Sequence, residues 1–518
     1  MVDSELVATL DSMASVDARR FSERVQAEAE TLSAMVDDGI FDNPQALTGF
    51  EYEFYAVQVS NTSGKTDTTP GTLARVPRRL LEFIRFEKEL GLHNAELSTQ
   101  PLPLNADGIA AQEATLRAQL RSGIEYTDTE GLRLVSDGMW TIPPQGESAT
   151  AYLTNSVEHG GHRVASNMSA SPRYHAMAQA RNEITPGMKI DAPHVSLSAD
   201  TVLPESLITS IQPHYQVPTA DTLPRYFRAA LRVAGPLVAL GANAPFFPPD
   251  LYSTDDGEAI LEDGYHEHRI HVFESVLNDP DRRRGKVRLP EDVDSVAEAI
   301  DRIASDPVIV PLDPEPSGRF DDQFAAFRMK SGTYWRWVRP IFDGPTRSGA
   351  NARIEFRPLS AQPTVRDSVA FLAAFAGLLE ALPAHDHPVL ELSWADAHDN
   401  FYRAANEGIN AELAWITADG SMPETDEAVY RDLLAQATEG LRMRGCSEAF
   451  VDRYLDPIRA RVDRWTTPAD WKRSVVREHL AAGESIESAI PAMQRQYLEY
   501  QESTLFSDDF SAWLDGSI

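Results

Sequence analysis

Three short segments of this chain share one design. Phe50-Glu51-Tyr52-Glu53-Phe54 alternates bulky apolar residues with two glutamates. Ile211-Gln212-Pro213-His214-Tyr215 alternates them with glutamine and histidine, and Ile354-Glu355-Phe356-Arg357 with glutamate and arginine. Side chains on a strand point alternately to opposite faces, so each polar pair should lie on one face and its apolar neighbours on the other. A strand anchored by Phe, Tyr or Ile presents its polar face from a rigid sheet. Ordinary solvent faces use Thr, Lys and Ser; functional clefts use Glu, His, Gln and Arg. Two carboxylates one strand repeat apart repel each other unless a cation or proton intervenes. Magnesium, which takes oxygen ligands and keeps waters and substrate phosphates, suits such a site. For any single pair, a solvated sheet face is the plainer reading.

Two further segments enlarge the set. His93-Asn94-Ala95-Glu96-Leu97 places another carboxylate at the start of an expected strand. Tyr334-Trp335-Arg336-Trp337-Val338-Arg339 sets two arginines among aromatics, which suits anionic groups beside flat ring surfaces.

Periodicity indicates the elements that must hold these residues. Apolar positions at helical spacing (Leu6, Leu10, Met13, then Val25, Leu32, Met35) predict a helix or helix pair over 5–37. A strand is expected at 49–59, then a hairpin-like loop at Ser63-Gly64-Lys65-Thr66-Asp67. Pro77 opens a helix expected to end near Gly91. Further strands are expected at 196–203, 208–217, 268–275, 333–342 and 352–359, with helices at Leu223 to Leu240 and Pro363 to Leu382. Pro213 cannot donate a ladder hydrogen bond, so its strand should be an edge or be bulged there. Beyond residue 386 the chain reads as long helices, one opened by Thr467-Pro468 with Asp470 in its first turn. The expected division is an N-terminal helical arm (1–44), an α+β core (45–385) and a C-terminal helical domain (386–518). The loops at 60–70 and 276–290 are candidates for a lid.

Composition narrows the setting. The net charge is −32 over 518 residues, and only six of the 47 basic residues are lysine. An acidic surface poor in lysine holds water and ions well and stays soluble in concentrated salt, where screening removes most self-repulsion. A salt-rich cytoplasm is the expected setting, and duplex nucleic acid is not an expected partner. Cys446, the one cysteine, excludes an intrachain disulfide. Arg442 and Arg444 could lower its pKa, yet no histidine base stands nearby in sequence, and an inert thiol is expected. Residues 1–40 lack the basic start and apolar run of a secretory segment. The most apolar run, Val369 to Leu379, falls short of the ~20 residues that span a bilayer. A homo-oligomer is compatible with the sequence, which specifies no oligomeric state.

Three motifs are set aside. Gly64-Lys65-Thr66 imitates the end of a P-loop, but Val59 stands where the first glycine belongs. His266-Glu267-His268-Arg269-Ile270-His271 reads as a polar strand with only His266 and His268 on one face, and no cysteine accompanies it. Arg282-Arg283-Arg284-Gly285-Lys286-Val287-Arg288 could clamp a nucleotide or acidic substrate, though a solvated loop pairing with nearby aspartates is preferred.

Taken in order, the motifs resemble those of the type 2 glutamate–cysteine ligase (carboxylate–amine ligase) family. Gly49 to Phe54 is similar to that family's opening Gly-x-Glu-x-Glu strand. Ser210 to Tyr215 followed by Leu240-Gly241-Ala242-Asn243-Ala244-Pro245-Phe246 resembles its polar strand, helix and Ala-Asn-Ser-Pro-Phe. Thr333 to Pro340, Ala352 to Pro358 and Ala361 to Val365 resemble its third block. The resemblance implies an α+β fold with a curved antiparallel sheet of the glutamine synthetase and guanido kinase type, flanking helices, and nucleotide and metal on the concave face. It implies that Glu51, Glu53, Glu96 and Glu355 hold magnesium, with Gln212 or His214 joining them or the nucleotide. Arg357 would meet phosphate, Arg336 and Arg339 remain the candidates for anionic groups named above, and Arg173-Tyr174 resembles a family position near substrate. The implied activity is ATP-dependent joining of a carboxylate to an amine through an acyl phosphate, with glutamate and cysteine as the default pair. Two other readings stand beside it. One is a non-catalytic relative kept as a nucleotide-binding or assembly module, against which the retained carboxylates argue. The other is a guanidine phosphotransferase, which would want a reactive cysteine near the cleft, whereas Cys446 lies outside the matched motifs.

Overall fold

The computed structural model describes residues 4–59, 69–182, 188–278, 285–314 and 316–516. The loop at 63–67, the P-loop-like Gly64-Lys65-Thr66, Arg282 to Arg284, most of the expected lid loop at 60–70 and residues 279–284 of the one at 276–290 lie outside them.

The expected N-terminal helix pair is present, as Ser4–Ala14 and Ala18–Asp37. The strands follow as β1 (Leu47–Gln58), β2 (Glu87–Lys88), β3 (Asn94–Ser98), β4 (Leu102–Pro103), β5 (Leu132–Val135), β6 (Ser156–His159), β7 (His162–Ala165), β8 (Met188–Ala192), β9 (Val195–Ala199), β10 (Ile211–Gln216), β11 (Val338–Asp343) and β12 (Asn351–Phe356). Eight of these form one antiparallel sheet in the order β11-β12-β10-β1-β3-β2, with β4 and β5 pairing to the ends of the long β1. β6–β7 and β8–β9 are separate hairpins.

Strand alternation makes the sheet two-faced. Phe50, Tyr52, Phe54, Ile211, Tyr215, Ile354 and Phe356 are each at most 1% exposed. Beneath that apolar face runs the helix Val365–Ala384, where Phe375 stacks on Phe356 at 4.4 Å. Tyr215 donates its hydroxyl to Glu380 of the same helix at 2.6 Å. This helix is long and apolar enough to cross a bilayer by length and composition, and it is buried in the protein core instead. The expected apolar run stopped short of that length because it counted only the middle of the helix; the first turn carries Arg366, Asp367 and Ser368.

Three expectations change. Residues 268–275 form not a strand but most of the helix His268–Leu277. Its buried residues Ile270, Phe273 and Leu277 fall at helical spacing, which a short run with alternating histidines disguises. His266 and His268 therefore share no strand face. The helix after Pro77 ends at Ile84, not near Gly91, because Arg85 adopts a left-handed φ of 61° and the chain turns into β2. Finally, β10 is no edge strand: it lies between β1 and β12. Ile211 N–H donates to the Leu359 carbonyl on the β12 side, so the Pro213 nitrogen two residues on faces the same side. The β12 pairing runs only from His214 to Gln216, and the next bridge is Ser210 to Ser360. Proline thus occupies the interruption in the ladder, where no donor is required.

Beyond residue 386 the chain is helical, and Thr467 and Asp470 cap the helix Pro468–Ala481 reciprocally as expected. These helices share one apolar core with the sheet. Buried polar bonds tie them to it. Arg461 reaches Asp367 and Gln362 at 2.8 Å each, Lys472 is paired with Asp137, and Gln501 donates to the Ser136 and Pro363 carbonyls.

Candidate active site

Strand register assembles the polar face. Residues directly opposite each other in an antiparallel pair share a face. Glu53 lies opposite Glu96, Glu51 opposite Gln212, His214 opposite Glu355, and Glu355 opposite Arg339. The four expected carboxylates therefore stand on one side of one sheet, although they come from three distant stretches of chain. Arg357, two residues beyond Glu355, joins the cleft that Glu51, Glu53 and Glu96 line.

The charges on this face are not equivalent. Glu355 accepts two hydrogen bonds from Arg339, at 2.8 and 3.0 Å, and one from Arg357 at 2.8 Å. Burial works to raise its carboxyl, but Arg339, Arg357 and His214 override burial and hold it well below the usual range. Glu51 lies 3.2 Å from the His214 ring; burial works to raise its carboxyl, but attraction and a hydrogen bond from His214, joined by Arg357, together lower it. Across β1 the sign reverses. Glu53 accepts from Ser210 N–H at 2.7 Å and from Gln212 at 3.1 Å, yet burial and then Glu89 push it up to about 7. Burial, Glu89, Glu51 and Glu53 raise Glu96 well above its ordinary value. One half of the face is thus arginine-bound carboxylate, and the other is carboxylate lacking a compensating cation.

A cleft of about 210 Å³ opens over the second half and reaches Arg357 and Arg173. Gly332 makes room for the Arg173 guanidinium, since a Cβ there would stand 2.8 Å from its Nη2. Arg336 does not join this group. It lies before β11 begins, pairs with Asp306 at 2.7 Å, donates to the Lys286 carbonyl and covers the Tyr334 ring. Its neighbours Lys286 and Asp306 are themselves paired, so the arginine expected at an anion is part of a buried ion cluster.

Sequence reasoning missed three residues. Glu205, on the short 3₁₀ helix Leu203–Leu207, lines the cleft; burial, then Glu89 and Glu53, push it up to about 8. Glu89 lies between β2 and β3 on the same cleft. Arg269, 3% exposed, donates to the Arg357 carbonyl at 3.0 Å and faces a side cavity with Glu53 and Glu205. No motif announces Glu89 or Glu205, which a loop and a 3₁₀ turn deliver, and Arg269 stands in the His266 to His271 segment, a helix misread as a polar strand. Cys446 is buried and burial raises its thiol, so the neighbouring arginines do not activate it.

Whether these residues fit magnesium rests on their chemistry. Glu53 and Glu96 oppose each other with Glu89 nearby, all oxygen donors whose repulsion a divalent ion would relieve. Among the described residues, no three His, Cys, Asp or Glu side chains are grouped so as to hold a metal ion by themselves. An ion that takes several of its ligands from water and phosphate asks for fewer. Glu355 fits less well, since arginines occupy both its oxygens.

Comparison with known proteins places the fold. The chain is similar to the glutamate–cysteine ligase of Francisella tularensis solved in complex with AMP, with a TM-score of 0.51 at 15% identity over 90% of this chain and 91% of that one. At that identity the likeness shows the fold. A bifunctional glutathione synthetase of Pasteurella multocida (TM-score 0.42, 14% identity, 92% of this chain and 55% of that one) is more distant. So is the ligase PafA, solved in complex with the ubiquitin-like protein Pup (0.38, 11%, 87% and 72%). At those scores the two likenesses carry no argument. No curated protein matches the sequence. The model of glutamate–cysteine ligase family 2 matches residues 47–498, and the chain belongs to that family.

Proposed function

We propose that this family member is an ATP- and magnesium-dependent ligase that activates a carboxylate, with glutamate the first candidate, as an acyl phosphate and joins it to an amine. The observation that carries this reading is the division of one sheet face into an arginine-bound half and a carboxylate half, with Arg357 reaching from the first into the cleft over the second. A carboxylate does not acylate an amine in water without activation, and phosphoryl transfer asks the protein mainly to neutralise charge and align reactants. Glu53, Glu96 and Glu51 are the residues that would hold magnesium, which when bound would screen the nucleotide phosphates. Arg357 is aimed from the end of β12 toward the cleft, and its bond to Glu355 fixes the guanidinium plane. Arg339 holds Glu355 in turn, a positioning role. Arg173 is the cleft's second cation, suited to a substrate carboxylate. The adenine nucleotide bound to the Francisella relative, which shares this fold, supports ATP as the phosphoryl donor.

The test is release of ADP and phosphate from ATP by the full chain with magnesium in high salt, with glutamate set against a panel of amines. The reading expects release that requires both the acid and an amine. ATP turnover independent of both would contradict it.

A further inference from the structure

Neither the Leu240 to Phe246 block nor Glu267 lines the cleft or its side cavity, yet the two meet behind it. Asn243 is wholly buried and uses both groups of its main chain. Its carbonyl accepts from Lys472 Nζ at 2.8 Å, and its N–H donates to Glu267 Oε2 at 2.9 Å. Ser360 donates to the same carboxylate oxygen at 2.7 Å, and Lys472 is itself fixed by Asp137. Glu267 stands at the N-cap position of His268–Leu277 without capping it; its buried carboxylate turns to this network instead.

The other oxygen, Oε1, has no hydrogen bond among the described residues and faces Arg269 Nε at 3.7 Å. Arg269 covers the Trp337 ring at 5.2 Å and donates to the Arg357 carbonyl at 3.0 Å. Arg357 N–H donates to the Trp337 carbonyl at 2.9 Å, so both main-chain groups of Arg357 are held. β12 has ended at Phe356, and a side chain, not a strand neighbour, holds that carbonyl. A buried arginine needs a counter-charge. Burial opposes the charge of Arg269, Glu267 supports it first and Glu53 next. Glu53 and Glu205 stand on the side cavity of about 20 Å³ that Arg269 also lines. They are the carboxylates left to Arg269 if Glu267 loses its charge.

We infer that Glu267 is a positioning residue for Arg357, acting through Arg269: it keeps that cation on the Arg357 carbonyl and away from Glu53 and Glu205. The C-terminal helices thereby reach the cleft through Lys472, the Asn243 peptide and Glu267. The inference rests on the reading above, with Arg357 toward phosphate and Glu53 toward magnesium.

Glu267→Gln replaces the carboxylate by an amide of the same shape, and Arg269 should move toward Glu53. With ATP, magnesium, glutamate and a turned-over amine, kcat should fall by about tenfold or more, since misplacing a contact by an ångström can cost about 100-fold. The KM for the amine should stay near that of the wild type. In thermal melts with ADP, the magnesium concentration that gives half of the Tm rise should increase several-fold, whatever the turnover. Adding Arg269→Met removes the displaced cation. The magnesium half-point should then return to the wild-type value while kcat stays low, because the Arg357 carbonyl still lacks its donor. This double variant leaves neither partner of the pair charged, so it decides the matter even if Glu267→Gln alone does not fold. A merely structural Glu267 would lower Tm and leave kcat and the magnesium half-point of the folded protein unchanged, and that result overturns the inference. So does a double variant with normal kcat, or with a magnesium half-point still raised. Normal magnesium melts without ADP release by the wild-type chain contradict the ligase reading alone, and the melts of the variants still decide the inference. No magnesium-dependent Tm rise in the wild type overturns both.

Discussion

Glu355 has both carboxylate oxygens in arginine hydrogen bonds, and that decides what its loss should cost. In Glu355→Gln, Arg339 and Arg357 would face a neutral amide in a buried setting, and breaking such a pair costs about 3–5 kcal/mol. The variant should melt lower and lose turnover by ~100-fold, the scale of one misplaced transition-state contact. Its magnesium dependence should stay normal. Glu53→Gln should do the reverse, keeping the fold and raising the magnesium concentration for half-maximal rate. Melts and initial rates across a magnesium titration separate the two, and a shifted magnesium requirement in Glu355→Gln would return that residue to the metal. A pH prediction belongs to Glu274, which accepts from Trp337 Nε1 at 2.8 Å and the Tyr402 hydroxyl at 2.7 Å. Burial pushes its carboxyl from 4.5 to about 7. An acid raised by folding favours the fold below its unfolded value, and that advantage is lost as pH rises through the folded value. Stability should therefore decline between pH ~4.5 and ~7, and Glu274→Gln should flatten that slope in melts across the window. Glu51, Glu53, Glu96 and Glu355 were legible in the sequence because strand alternation assigns a face without knowledge of the fold. Arg336 misled because its neighbours resemble those of Arg339, while the strand begins only at Val338.

Elements were legible where they were long. The helices Leu223–Gly241 and Val365–Ala384 match their periodicity to within a few residues, as does β1. His268–Leu277 was not legible, since over so short a run periods of 2 and 3.6 fit the same apolar residues. The central place of β10 was hidden too, because a proline argues against the interior of a sheet unless the ladder is interrupted beside it. Helix crossings leave no trace in periodicity, yet one is open to test. Val365–Ala384 and Asp426–Met443 meet at Gly377 and Gly440, where a Cβ on Gly440 would run into the Gly377 carbonyl. Gly440→Ala should force these helices apart and lower stability by about 1–3 kcal/mol, the usual cost of overpacking. Denaturant melts check this; an unchanged midpoint would mean the crossing is loose.

At the scale of the molecule, the three-part division by sequence is best treated as a proposal about function. The C-terminal helices bring no residue to the cleft, yet they supply Lys472 and Gln494 to the fully buried Asp137. A chain ending at 385 should keep every proposed magnesium ligand and fail to unfold cooperatively, because it leaves that carboxylate buried without its cation. Circular dichroism melts of the truncated chain decide this, and a sharp transition near that of the full chain would show an independent core. The net charge of −32 makes a second claim: Tm should rise as KCl is raised toward molar levels, since screening relieves self-repulsion. The claim on which all of this turns is that the two-signed cleft activates a carboxylate by phosphorylation. It is tested most directly by supplying glutamate labelled with oxygen-18 in its γ-carboxylate, with ATP, magnesium and a turned-over amine, and analysing the released phosphate by mass spectrometry. An acyl phosphate transfers one labelled oxygen to phosphate at each turnover; phosphate free of label, despite product formation, would contradict the account.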